Sequence, residues 1–168
     1  MIRIILKSAT PIYIENKKLV VMADMFYKYA QKGNEMVNEL AEELGIPEDK
    51  ETAFRILRAV LRALRNQISV EESFQLLAQL PMVIKGLYVE QWKISKKGDH
   101  VRNVHDFVKA VRHEDRPLGT HDLFTFKDGV NAVMAVFKVL RAHISAGEIE
   151  DIISVLPGPL KELWKVKS

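Results

Sequence analysis

The chain repeats itself. Ile68-Ser69 recurs as Ile144-Ser145, Glu72 as Glu148, Leu80-Pro81 as Leu156-Pro157, Lys85 as Lys161 and Leu87 as Leu163, every pair separated by 76 positions. Ala59-Val60 and Leu64-Arg65 reappear as Ala135-Val136 and Leu140-Arg141 at the same separation. Eleven identities without a gap between Phe54 and Tyr88 compare with about two expected by chance at average composition. A tandem duplication constrains the fold strongly, because whatever architecture the first copy adopts is open to the second. A unit of about 70 residues cannot cover its own apolar surface, so the two copies are expected to pack on each other as one domain.

The period within each copy is helical. Met22, Met25, Phe26 and Tyr29, then Met36, Val37, Leu40, Ala41 and Leu44, recur at three- and four-residue steps, with Gly33 expected to divide two helices. Gly45 suits the left-handed position after a helix and Pro47 stands just beyond it. From Glu48 to Gln67 a wheel places Ile56, Leu57, Val60, Leu61, Ala63 and Leu64 on a broad apolar face. Ser69 with Glu72 is a capping box that starts a helix at Val70, and Pro81 suits the first turn of the next, which carries Ile84, Tyr88 and Trp92. In the second copy Phe107, Val108 and Val111 line one helix, and Thr125 with Asp128 caps another holding Val133, Phe137 and Leu140. The expected architecture is all-α: a duplicated four-helix unit packed as one helical bundle. It divides into an N-terminal extension (1–21), a first repeat (22–92), a linker (93–103) and a second repeat (104–168). Within the extension, β-branched residues from Arg3 to Lys7 and from Ile12 to Val21, around Asn16-Lys17, allow a short β-hairpin.

Composition excludes several chemistries. The chain has no cysteine, which removes disulfides, thiolate catalysis and cysteine-ligated metal sites. The net charge of +3 comes from no long basic tract, so charge alone does not indicate nucleic-acid binding. The opening Met1 to Lys7 has too short an apolar run for a secretion signal, and no stretch reaches the roughly 18 apolar residues of a membrane span. A cytoplasmic location is expected.

No reactive constellation emerges. His100, His105, His113 and His121 lie in or beside the linker with acids adjacent, but none shows a metal-ligand spacing such as i, i+4 or H-E-x-x-H. Ser69 and Ser145 are explained as N-caps, no G-x-S-x-G surrounds a serine, and neither common nucleotide-binding loop occurs. No catalytic, cofactor-binding or metal residues are assigned, and no cofactor is expected. Arg55, Arg58, Arg62 and Arg65 fall within an arc of about 80° on one helix, a stripe that Lys138 and Arg141 repeat in part. Four guanidiniums on one face can bind phosphates or carboxylates bidentately. They can equally be solvated or paired within the chain, whose preceding segment holds Glu35, Glu39, Glu42, Glu43, Glu48, Asp49 and Glu51. Tyr88, Trp92 and Trp164, set among Leu and Val, are expected to pack rather than to stack bases.

Tyr29-Ala30-Gln31-Lys32-Gly33-Asn34-Glu35, Leu40-Ala41-Glu42-Glu43-Leu44-Gly45, Arg55 to Leu61, Leu77-Ala78-Gln79-Leu80-Pro81-Met82 and Lys85-Gly86-Leu87-Tyr88-Val89 follow one another in a recognisable order. With Gly147 to Ile152 and Leu156-Pro157 through Trp164, the stretch from Phe26 to Trp164 resembles the bacterial domain-of-unknown-function family 2267. The resemblance implies an all-helical duplicated fold and no assigned reaction. Gln91 stands where such sequences often have Gly, and the first 21 residues lie outside it. The function expected is that of a non-enzymatic protein-interaction or scaffolding module with an unidentified protein partner. Anion or nucleic-acid binding through the stripe is the alternative, and an enzyme of unrecognised type the second.

Overall fold

Helix follows helix, and no strand occurs among the described residues. The structure, a computed structural model, describes residues 9–94, 101–114 and 125–165, with side chains from Asp24 onward. The order is α1 (Ala9–Glu43), α2 (Lys50–Arg65), α3 (Val70–Gln79), α4 (Met82–Val89), α5 (Val104–Glu114), α6 (Phe126–His143), α7 (Ala146–Val155) and α8 (Gly158–Lys161), closed by a 3-10 turn over Glu162–Trp164. The starts of α2, α3 and α4 recur as the starts of α6, α7 and α8 with the separation of 76 found between the sequence identities.

Two expectations near the N-terminus are corrected. Ile12 to Val21, expected to contribute to a hairpin, lies within α1, while Arg3 to Lys7 falls outside the described residues. A two-stranded hairpin is marginal without a further strand or a packed face, whereas a helix satisfies its backbone internally; this physics favours the helix over the β-branched composition. Gly33 does not divide the helix either. It is buried inside α1, and a Cβ there would stand 3.3 Å from the Val83 Cβ, so its bareness admits α4 rather than breaking the helix.

The remaining stops and starts follow local rules. After α1 the Gly45 amide donates to Glu42 O at 3.0 Å and the Ile46 amide to Ala41 O at 2.8 Å, with Gly45 at φ +72°, a Schellman closure. Capping boxes open α3 (Ser69 with Glu72) and α6 (Thr125 with Asp128), and Asp49 accepts from the Thr52 amide to open α2. Hydrogen bonds from the Thr125 hydroxyl and amide hold the Asp128 carboxyl below its ordinary range.

One cluster of buried residues draws on both halves: Leu40, Leu57, Leu64 and Ile84 from the first, Phe107, Phe137, Leu140 and Trp164 from the second. α2 packs against α1, α4, α5 and α6, and α6 against α1, α2 and α5, so the two longest repeat helices share the middle. α5 and α6 approach closely at Gly129, where an added Cβ would overlap the Val108 Cγ1.

Gln91, just after α4, holds φ +56°. An L-residue there costs roughly 1–2 kcal/mol, which explains why glycine suits the position. Gln91→Gly is therefore expected to raise stability, by about 0.5–1 kcal/mol once the extra freedom of glycine in the unfolded chain is subtracted. A denaturant midpoint that does not move, or falls, would contradict this.

Candidate functional site

The arginine stripe of α2 turns inward as it runs toward the C-terminus. Arg55 is partly buried, pairs with Glu51 at 3.2 Å and donates to the Thr52 hydroxyl at 2.7 Å. Arg58 is half-buried, its Nε without a hydrogen-bond partner among the described residues. Arg62 and Arg65 are buried. Arg62 forms an ion pair with Glu90, and Arg65 donates to the Tyr88 carbonyl while its guanidinium lies 5.9 Å from the Tyr88 ring and 5.6 Å from that of Trp92. Burial lowers the pKa of Arg65 from its ordinary value, against the opposing charge of Glu114. Burial also pushes the Tyr88 phenol up to about 12, with the Ser73 hydroxyl accepting its proton at 3.1 Å.

The second half repeats this joint. Arg141, the counterpart of Arg65, donates from Nε to the Trp164 carbonyl at 3.0 Å, and its guanidinium stands 6.0 Å from the Trp164 ring. In both halves an arginine of the long helix thus closes a carbonyl at the end of the last element and lies on the ring of the same residue. Lys85 and Lys161 match in the same way: each donates seven residues back, to Ala78 O at 3.0 Å and Ser154 O at 2.8 Å, satisfying a carbonyl at the end of α3 or α7. Tyr88 and Trp164 are fully buried, and Trp164 stacks on Phe137 at 3.9 Å between ring centres.

Two acids of α1 find partners across the bundle rather than on α2. Glu43 pairs with Lys138 at 2.6 Å and Glu39 with His143 at 2.7 Å. The acidic segment and the stripe meet at Glu51 and Arg55, on α2 itself, while α1 presents its acids to α6. His105 and His113 are exposed, His105 lying 5.6 Å from the Phe126 ring, while His100 and His121 lie outside the described residues. Among the described residues no three histidines and acids come together as a metal site.

Two surfaces go beyond what the sequence pattern reveals. The face of α1 that carries Gly33, Met36, Val37 and Leu40 into the core continues N-terminally as Met25, Phe26 and Tyr29, which are 53%, 68% and 47% exposed. Their helical spacing is visible in sequence, but what covers them is not. The other is a groove of about 560 Å³ between α1, the α3–α4 junction and the end of α6, with Lys28, Lys32 and Lys85 in its lining. Lys28 and Lys32 sit four apart on one helix, a pattern legible in the chain itself, whereas Lys85 arrives only through the fold.

No helix among the described residues is long and apolar enough to cross a membrane. A family model described as "Uncharacterized conserved protein (DUF2267)" matches residues 33–163, and no curated protein matches the chain.

Proposed function

The chain belongs to the DUF2267 family, and from that premise we propose that it is a non-enzymatic helical interaction module that docks through the uncovered stripe of α1 onto a second copy of itself. The exposed Met25, Phe26 and Tyr29 carry this reading, because they prolong a buried face past the body that covers it. Contiguous apolar surface of this kind marks a protein contact, and an identical helix face supplies a self-complementary partner.

The scaffold beneath it is read as a tandem duplication, 22–92 and 104–168 joined by 93–103 and packed as one domain. Support comes from the matching helix starts and from the equivalent bonds of Arg65 with Arg141 and Lys85 with Lys161. The stripe is read as part of that scaffold, since Arg62, Arg65 and Arg141 are engaged at the ends of the last elements.

Sedimentation velocity over a wide concentration range tests the docking surface. Self-association is expected, and Met25→Glu with Phe26→Glu should abolish it while leaving the helical circular dichroism and melting temperature unchanged. A chain that stays monomeric throughout, or a double variant that associates as before, would overturn the reading.

A further inference from the structure

We infer that the groove between α1, the α3–α4 junction and the end of α6 is a binding site for the phosphate group of a small molecule. Two helices and one junction build it. α1 contributes Lys28 and Lys32, four residues apart and both exposed, and α4 contributes Lys85 from its first turn. Among the described residues neither Lys28 nor Lys32 is in an ion pair, whereas Lys138 and Lys165 each are. Lys28 and Lys32 thus share the lining with a single glutamate, Glu35, whose carboxylate accepts from the Gln31 amide at 3.1 Å, while the Lys85 ammonium donates to Ala78 O at 3.0 Å. His143, also in the lining, is held by Glu39 at 2.7 Å.

The wall opposite α1 adds donors without charge. Pro81 caps α4 and supplies no side-chain hydrogen bond to it, so the first-turn amides of Met82 and Val83 have no acceptor within the helix. Pro81 and Met82 both line the groove, which places this helix start beside the lysines. Flexible lysine stems deliver point charges to a phosphate, and helix-start amides add directed N–H donors; together they favour a dianionic oxyanion over a halide. The volume of about 560 Å³ falls in the range that takes a small organic ligand, and Tyr29 and Met82 give the remainder of that ligand an apolar wall. A phosphomonoester fits this combination better than inorganic phosphate alone. The groove shares Tyr29 with the self-docking stripe, whereas Met25 and Phe26 do not line it.

Titration with pyrophosphate, followed by amide chemical shifts and calorimetry at constant ionic strength, tests the inference. Saturable one-to-one binding is expected, with the largest shifts at Met82, Val83 and Lys85. Lys28→Gln with Lys32→Gln should weaken it at least about tenfold, the scale of losing two charge-assisted contacts, with the melting temperature unchanged. Phe26→Glu should leave pyrophosphate binding intact, so loss of self-association does not remove this readout. The inference is overturned if pyrophosphate gives no saturable binding, if the double lysine variant binds as well as the parent, if chloride at equal ionic strength reproduces the shifts, or if only a long polyanion binds.

Discussion

Leu64→Ala and Leu140→Ala are each expected to lower the free energy of unfolding by about 2–5 kcal/mol. Both side chains are fully buried, and they occupy equivalent places on α2 and α6, the helices that share the middle of the bundle. Truncation removes buried methyl groups and leaves a cavity that the surrounding helices, held in place by their own packing, can fill only in part. Because one buried cluster draws on both halves, each variant is expected to unfold in a single transition. Denaturant titrations followed by circular dichroism and by tryptophan fluorescence measure both points. Losses below about 1 kcal/mol would place the centre of the core elsewhere, and two separated transitions would show that the halves fold independently.

The second large effect concerns the stripe. Arg58→Gln, Arg62→Gln and Arg65→Gln together are expected to destabilise the protein by about 1–3 kcal/mol while leaving its retention on a phosphate polymer at low salt unchanged. The charge on Arg62 is paired with Glu90, and Arg65 satisfies the Tyr88 carbonyl beneath two aromatic rings. A glutamine is too short to keep those contacts, so Glu90 loses its partner and a buried carbonyl loses its donor. Long solvated side chains would contribute little to folding. Retention that disappears in the triple variant with an unchanged melting curve would therefore reverse the assignment and make the stripe an anion site.

The contrast between Arg55 and Arg65 shows where the reach of sequence ends. A helical wheel places both on one stripe, and nothing within α2 says that Glu90 and Trp92 will close over one end of it. That closure depends on how α3 and α4 fold back, a contact between residues more than twenty apart. The lysine groove is hidden from sequence for the same reason: Lys28 with Lys32 is a local pair, but Lys85 joins them only because α4 packs against α1. Gln91 is the opposite case, since an atypical residue at a glycine-favouring place is legible in the chain alone and its positive φ follows from the end of α4.

Local chemistry determined by itself the helix boundaries at Gly45, Ser69, Pro81, Thr125 and Ser145, because a cap or a missing amide acts within one turn of chain. The all-helical class and the membership of Leu64, Leu140, Tyr88 and Trp164 in the core were also within its reach, since apolar periodicity reports which face of a helix avoids water. Only the tertiary structure decided that Gly33 serves a close approach and which cations are buried and which are open. Those outcomes rest on contacts across the bundle, and the energy of a charge or an apolar ring depends on what lies over it rather than on its neighbours in the chain.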